Sequence, residues 1–198
     1  MLSQFRPALV MTGLFTLVLG LAYPLAVTGF AQAVFPDQAN GSLVRSASGA
    51  VQGSALIGQP FAEARYLHPR PSAAGDGYNA AGSSGSNLGP MNADLAERIK
   101  TDADAIRAEV GTAAVIPADA VTASGSGLDP DISPAYARLQ APRVATARGL
   151  TTAQVQGVID IHTQGALLGF IGQPRVNVLM TNRALDALSP TLSPVPAG

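Results

Sequence analysis

An uncharged apolar block near the start constrains this chain more than any other feature. Residues 8–36 read ALVMTGLFTLVLGLAYPLAVTGFAQAVFP and contain no Asp, Glu, Lys or Arg. A helix of this length spans about 40 Å at 1.5 Å per residue, which exceeds the ~30 Å hydrocarbon core of a bilayer. Pro24 is expected to kink the helix, and a kink or tilt absorbs the excess length. The block therefore predicts a transmembrane helix over residues 8–35.

A cleaved signal peptide is the alternative interpretation of the same block. Arg6 supplies a charged region before it, and Ala31-Gln32-Ala33 resembles a cleavage site. The apolar region of a signal peptide usually runs for about 7–15 residues, however, and the uncharged stretch here is nearly twice as long. We therefore favour a retained anchor.

The orientation of this helix depends on few charges. Arg6 and the α-amino group precede the block, whereas Asp37 and Arg45 follow it. The positive-inside rule favours the cytoplasmic side for residues 1–7, by about one charge. The sequence thus predicts a single-pass protein of the inner (plasma) membrane, with residues 36–188 forming an extracytoplasmic domain.

Composition excludes several functions. Charged residues make up 13% of the chain, the formal net charge is −1, and Lys100 is the only lysine. Because there is no basic run, nucleic acid is not an expected partner. Because there is no cysteine, thiol catalysis, disulfides and Cys-ligated zinc are excluded.

The remainder of the chain predicts one small α+β domain. Gly-separated apolar pairs, Leu43-Val44 and Leu56-Ile57, favour short strands. The clearest helix runs from an Asn92 cap to Gly111, with apolar residues spaced by four and seven. The Pro-rich end, residues 189–198, is expected to be disordered.

Further helix signals lie in the C-terminal half. Ser133-Pro134 is a favourable helix start, and that helix should end at Gly149 with a break or restart at Pro142. A capping-box pattern, Thr151-x-x-Gln154, opens the next helix. Alternation in RVNVLMTN predicts a strand over residues 175–182, after which Asn182 caps a short helix ending near Leu188.

Two segments rich in Gly, Ser and other small residues interrupt this domain. They are residues 70–90, RPSAAGDGYNAAGSSGSNLGP, and residues 116–134, IPADAVTASGSGLDPDISP. Such composition is typical of flexible spacers. Two spacers within a domain of about 160 residues would leave too little chain for a core, so we predict ordered loops. Tyr78 and Leu88 are the side chains expected to pin the first loop.

Motifs for catalysis are incomplete. The first loop has no lysine for a phosphate-binding loop, and neither the dinucleotide fingerprint nor the nucleophile elbow is complete. His68 and His162, the only histidines, are interpreted as ordinary surface or capping residues. An undetected enzyme site around Asp129, Asp131 and His162 is kept as a hypothesis. We predict no catalytic residue and no bound metal.

Several motifs in order resemble a known family. These are residues 53–61 (GSALIGQPF), 70–90, 117–149 and RVNVLMTNRALD at 175–186, together with the N-terminal apolar helix. They are similar to the C subunit of the high-affinity potassium-transporting P-type ATPase, the Kdp complex (KdpC family). The resemblance runs to about Leu188, which is nearly the whole chain.

The resemblance implies a non-catalytic accessory subunit. Its implied partners in the Kdp complex are the potassium-translocating A component, the ATP-hydrolysing B component and the small single-helix F component, together with membrane lipid. It further implies a catalytic chaperone that raises the ATP affinity of the ATP-hydrolysing component. ATP would be held jointly with that component and not as a tightly bound cofactor. The implied nucleotide contacts are Ser124, Gly125, Ser126, Gly127 and Gln140.

That implication conflicts with the predicted topology. ATP is cytoplasmic, whereas the charge bias places Ser124 and Gln140 outside, so we favour an effect on ATP transmitted through the other components of the complex. Partner contacts are instead predicted at five residues: Gly13, Gly20, Arg70, Tyr78 and Asn87. The alternative function is a membrane-anchored, exported binding module for a small polar ligand.

Overall fold

The structure is a computed structural model that describes residues 2–189. It divides into two compact units, with the boundary in the sequence between Leu43 and Val44. The predicted disordered tail lies outside the described residues except for Ser189, which is buried.

The first unit is dominated by one long helix. It consists of α1 (Phe5–Leu17), a π-helical turn (Val18–Ala22) and α2 (Tyr23–Val34), followed by a short α3 (Pro36–Ala39). It runs for 30 residues from Phe5 to Val34, and its most apolar 18-residue window has a mean hydropathy of 1.9 and no buried residue, so it is long and apolar enough to cross a membrane. The predicted apolar helix is therefore present.

Pro24 explains the π-helical turn. Proline has no N–H, and its ring clashes with the carbonyl four residues earlier, which here belongs to Gly20. The Tyr23 N–H donates to the carbonyl of Val18, five residues back, which widens the helix directly before the proline. The expected disturbance at Pro24 thus takes the form of a π turn within a continuous helix.

The second unit is a mixed helix and sheet domain, which confirms the predicted α+β class. Its elements are β1 (Leu43–Arg45, beginning at the boundary), β2 (Val51–Ser54), α4 (Ala93–Val110), β3 (Asp131–Ile132), α5 (Pro134–Arg148), α6 (Thr152–Ile161), β4 (Thr163–Gln164), β5 (Arg175–Asn177) and α7 (Val178–Leu188). Strands β1 and β2 form one small sheet, and β3-β5-β4 form a second, antiparallel one.

The predicted helix boundaries are confirmed where a local cap sets them. Asn92 Oδ1 accepts from the Asp94 N–H at the start of α4, and Gly111 follows its end with φ +99°. Ser133 caps α5, which ends at Gly149 in the left-handed conformation. Thr151 forms the predicted capping box at the start of α6.

Three local predictions were wrong. Leu56 and Ile57 lie in a turn after β2 and not in a strand. Helix α5 continues through Pro142, because the proline lies on the exposed face, where water can satisfy the carbonyl that loses its partner. Strand β5 stops at Asn177, whose side chain accepts from the Met180 N–H, so Asn177 and not Asn182 caps α7.

The core lies where α5, α6 and α7 pack against β5. Helix α5 buries three alanines, Ala137, Ala141 and Ala145, against branched side chains of the other elements, so the helices approach closely. The largest fully buried side chains in the described chain are Tyr66, Leu67, Ile159, Leu179, Leu185, Val144, Val155, Val176, Asn182 and Thr181.

Candidate functional site

A segment without helix or strand structure, which begins in a turn and packs against this core, is the centre of the candidate site. We call residues 64–70 the strap. Within residues 2–189 it belongs to no β-ladder, although Tyr66 and Leu67 are buried. Buried backbone groups must find hydrogen-bond partners, so side chains have to supply them.

Two side-chain amides bind the strap as a neighbouring strand would. Asn182 Oδ1 accepts from the Leu67 N–H at 2.7 Å, and Asn182 Nδ2 donates to the Leu67 carbonyl at 3.0 Å. Gln140 Oε1 accepts from the His68 N–H at 2.7 Å, and Gln140 Nε2 donates to the His68 carbonyl at 3.1 Å. We call this pair of residues the amide clamp.

Two arginine side chains donate hydrogen bonds to further backbone carbonyls of the strap. Arg143 Nη1 donates to the carbonyls of Ala64 and Tyr66 at 2.6 and 2.9 Å, and its Nη2 donates to Gln140 Oε1 at 2.7 Å. Arg143 therefore holds both the strap and one half of the clamp.

The second arginine, Arg148, is fully buried. Its Nε donates to the Arg65 carbonyl at 2.6 Å, its Nη2 pairs with Asp186 at 2.8 Å, and its guanidinium lies 5.2 Å from the centre of the Tyr66 ring. Asp186 on α7 compensates the buried charge, which would otherwise be costly. These contacts tie α5, α7 and the strap into one unit.

His68 is the strap residue whose side chain titrates closest to neutral pH. Its Nε2–H donates to the Glu63 carbonyl at 3.2 Å. Burial, together with the nearby Arg143 guanidinium, lowers the pKa of His68 below its ordinary value of 6.5. The folded chain therefore keeps this imidazole neutral where the unfolded chain would protonate it.

This shift predicts a pH dependence of stability. As the pH falls below about 6.5 the unfolded state binds a proton that the folded state resists, so stability falls until the folded-state pKa is passed. Between about pH 7.5 and 5.5, the melting temperature of His68→Gln, which retains an N–H donor, is expected to fall less than that of the parent chain. Equal losses in both proteins would contradict the assignment, and the two slopes should agree above pH 7.5, where His68 is neutral in both states.

The two Gly/Ser-rich loops pack against each other beyond the strap. The Ser84 N–H and the Ser83 hydroxyl both donate to the Ser126 carbonyl at 3.0 Å. The Ser72 hydroxyl donates to the Gly127 carbonyl at 2.6 Å, and its oxygen accepts from the Tyr78 N–H. The hydroxyls of Ser72 and Ser83 are thus engaged in holding the two loops together. We call this unit the paired loops.

Arg70 and Tyr78 anchor the paired loops to the strap. Arg70 forms a 2.7 Å ion pair with Asp129, and its other nitrogens lie 3.3–3.4 Å from the Thr122 carbonyl. The Tyr78 hydroxyl donates to the Arg70 carbonyl. Asn87, the third residue of the predicted partner set in this loop, is exposed, with φ +53°.

Gly127 permits the closest approach between the paired loops. It has φ +68°, and a Cβ there would lie 2.6 Å from the Ala74 nitrogen and 2.7 Å from the Ser84 carbonyl oxygen. Both are backbone atoms, which cannot move aside as a flexible side chain can. Gly125, two residues earlier, has open space around the equivalent position.

The implied nucleotide contacts fall into two groups. Ser124, Gly127 and Gln140 are buried, and the Gln140 amide is engaged with the strap. Gly125 and Ser126 are exposed at the tip of the second loop. Ser124 and Gln140 both contact residues near the end of the strap, since the Ser124 N–H donates to the Pro71 carbonyl and Gln140 binds His68.

The residues of the hypothetical enzyme site line two neighbouring cavities. Asp131 and His162 border one of about 600 Å³, and Asp131 and Asp129 border another of about 490 Å³. Asp131 pairs with Arg175 at 3.0 Å and accepts from Asn177 Nδ2 at 3.2 Å. Burial raises the pKa of Asp131, and the His162 Nδ1–H donates to a carbonyl of its own helix.

Sequence reasoning missed the most connected residues of this site. Asn182 was expected at a helix cap, and Arg143 and Arg148 were not selected at all. Their partners in the strap lie between 77 and 115 residues away along the chain. The spacing of residues within a short window cannot indicate contacts between residues that lie so far apart in sequence. The spacing of three arginines by five residues along α5 (Arg138, Arg143 and Arg148) is the one feature that could have drawn attention.

Comparisons with known proteins agree with this architecture. A family model described as KdpC, the K+-transporting ATPase c chain, matches residues 5–187. Proteins named potassium-transporting ATPase KdpC subunit are similar over almost their full length. One from Caulobacter sp. (strain K31) is 71% identical over 190 residues, 96% of each chain. One from Caulobacter vibrioides (strain NA1000 / CB15N) is 68% identical over 193 residues, 98% of each chain. One from Mycobacterium bovis (strain BCG / Pasteur 1173P2) is 54% identical over 190 residues, covering 95% of this chain and all of the relative. With a family match that spans both units, this chain belongs to the KdpC family of K+-transporting ATPase c chains.

Proposed function

We propose that this chain is a non-catalytic accessory subunit of a Kdp-type potassium-transporting ATPase. It stabilises the assembly with the A, B and F components and acts as a catalytic chaperone that raises the ATP affinity of the ATP-hydrolysing component. Its body lies outside the cytoplasm against the potassium-translocating component, and the effect on ATP passes through these partners. Family membership supports the accessory role.

The observation that carries the indirect effect on ATP is the state of Gln140. Its amide oxygen accepts from His68 and Arg143, and its amide nitrogen donates to His68, so both polar atoms have partners. A nucleotide could recruit this side chain only by releasing the strap, which would leave buried backbone groups unpaired. The amide clamp therefore favours a structural role for Gln140.

Assembly within the membrane is assigned to the long helix. A Cβ added at Gly13 would have no heavy atom within 4 Å, and one added at Gly20 would meet only Thr16 Cγ2, at 4.0 Å. Small residues of this kind allow helices to approach closely in a bilayer. The body offers Arg70, Tyr78 and Asn87 near the paired loops as further contacts.

Gly13→Leu and Gly20→Leu are expected to reduce co-purification of the chain with its partners several-fold, because a leucine holds a partner helix away. Membrane insertion should be unaffected, since leucine is at least as apolar as glycine. The measurement is the yield of intact complex after detergent extraction, normalised to chain in the membrane fraction. Unchanged yields for both variants would make the helix an anchor only.

The sidedness of the body is the decisive test of the proposal. The chain has no cysteine, so a single introduced thiol reports its own position. Met91 is 95% exposed, and Met91→Cys should react with a membrane-impermeant maleimide in cells whose inner membrane is intact. Gln4→Cys, before the helix, should react only after permeabilisation. The reverse pattern would place the body in the cytoplasm, where direct contact with ATP becomes feasible.

A further inference from the structure

The hairpin between β4 and β5 ends in an exposed apolar tip. The Leu167 N–H and the Ile171 N–H donate to each other's carbonyls at 2.9 Å, which closes a narrow turn. We call residues 167–171 the apolar tip. Its four large side chains are exposed by 67%, 77%, 77% and 49%, in the order Leu167, Leu168, Phe170 and Ile171.

The surroundings of the apolar tip are free of charge and open. No Asp, Glu, Lys or Arg occurs between Asp160 and Arg175, a stretch that includes the whole hairpin loop. Gly165, Gly169 and Gly172 have nothing within 4 Å of a Cβ position, so no other described part of the chain lies against these three positions. Most soluble surfaces interrupt an apolar patch of this kind with charges.

The backbone of the apolar tip is held in an unfavourable conformation. Leu168 has φ +54°, in the left-handed region that leucine rarely adopts. Strain of this sort persists where the surrounding structure imposes it, and it is concentrated at functional positions. Here it places a leucine at the outermost point of the turn instead of burying it.

The length of the connection keeps this body close to a membrane that the long helix spans. Nine residues separate Val34, the end of α2, from Val44, the start of the second unit. Fully extended, they reach no more than about 35 Å. A domain of this size has a radius of gyration of about 15 Å, so the body is tethered within a few tens of ångströms of that bilayer.

We propose that the apolar tip inserts into the interfacial region of the same bilayer, in the leaflet on the body's side. This inference depends on the long helix spanning the membrane and not on the proposed role in a potassium-transporting complex. The ligand is the bilayer itself, recognised through the boundary between headgroups and acyl chains. Leu167, Leu168, Phe170 and Ile171 are the inserting side chains.

Area favours lipid over a second copy of the chain as the occupant. Scaled by their exposed fractions, the four side chains present roughly 500 Å². Two tips packed against each other would therefore bury only about 1,000 Å² in total. A stable protein–protein interface buries about 1,200–2,000 Å² in total, with complementary shape on both partners. Insertion into a fluid interface has no such minimum, since apolar groups a few ångströms below the headgroups are already removed from water.

The chain has no tryptophan, so one introduced indole can report the position of the apolar tip. The experiment uses full-length Phe170→Trp in phosphatidylcholine–phosphatidylglycerol vesicles, with and without lipids brominated in the upper acyl chain. Groups inserted about 5–10 Å into the interface contact these bromines, so emission should be blue-shifted and quenched roughly twofold. Either orientation of the chain in the vesicle is informative, because the tip reaches the leaflet on its own side.

Met91→Trp, at a position that is 95% exposed on the same body, is the matched control and should remain unquenched. Adding Leu168→Gly to the Phe170→Trp chain should reduce the quenching, and because glycine accepts φ +54° the melting temperature should not fall. Quenching of Phe170→Trp no greater than that of Met91→Trp would overturn the proposal. A blue shift without quenching would also overturn it, since a second protein chain and not lipid would then cover the tip.

Discussion

Asn182→Asp is expected to lower the melting temperature of the chain by about 10 °C, because it removes the donor to the Leu67 carbonyl and buries a carboxylate beside that oxygen. The exchange changes one atom and almost no volume, so packing is preserved. Breaking a buried polar contact and leaving a charge unpaired typically costs about 3–5 kcal/mol. Thermal unfolding of the full-length chain in detergent, followed by circular dichroism, measures the loss.

Thr181→Val is the matched control for this variant. Thr181 is the neighbouring residue, equally buried, and its hydroxyl donates to the Asn177 carbonyl at the start of the same helix. Its loss should cost only about 1 kcal/mol, because no group of the strap is left unpaired. Lowering the pH should narrow the difference in melting temperature between Asn182→Asp and the parent chain, since the protonated acid can again donate. Equal effects of the two variants would mean that the amide clamp adds nothing specific.

Gly127→Ala is expected to have the second-largest effect, because the new methyl group would meet two backbone atoms of the first loop. The left-handed conformation adds about 1–2 kcal/mol for an L-residue, and overpacking typically adds about 1–3 kcal/mol. The paired loops should separate, and limited proteolysis should then cut the segment between Gly75 and Gly85. In the parent chain this segment should resist, because its backbone is bonded to Ser126.

Gly125→Ala separates a structural role of these glycines from a nucleotide role. It has open space at the Cβ position and no left-handed φ, so stability should change by no more than about 0.5 kcal/mol. Proteolysis should match that of the parent chain. If Gly125→Ala left the fold intact but abolished the rise in ATP affinity of the assembled complex, the exposed tip at Gly125 and Ser126 would have to contact nucleotide.

The sequence predicted those parts of the fold that neighbouring residues determine. Asn92, Ser133 and Thr151 each cap a helix within three residues of themselves, so a short window contains all the relevant chemistry. The long apolar helix is likewise recognisable from length and composition alone. The prediction that residues 70–90 form an ordered loop came from the amount of chain that a core requires. The partner of that loop could not be predicted in the same way.

The rest depends on pairs of residues that are distant in sequence. Asn177 and Asn182 are equally good helix caps by composition, and the choice between them is made by Leu67, which needs an amide at Asn182. Pro142 was expected to interrupt α5, but its place on the exposed face lowers the cost, because water can bond the carbonyl that loses its partner. The hydrogen bonds between the two Gly/Ser-rich loops join residues more than forty positions apart, so the sequence of one loop does not indicate that it pairs with the other.

The separation between the strap and its partners bears on how the protein is made. A ribosome releases residues 64–70 well before Gln140 and Asn182, which bind them from 72 and 115 residues further on. Closing connections of this length is entropically costly, and it cannot begin until the later helix exists. The last described helix thus forms its contacts with the strap only after residue 182 has been synthesised. A chain interrupted before Asn182 leaves the backbone groups of Leu67 without these partners, so the strap should be more accessible to proteases.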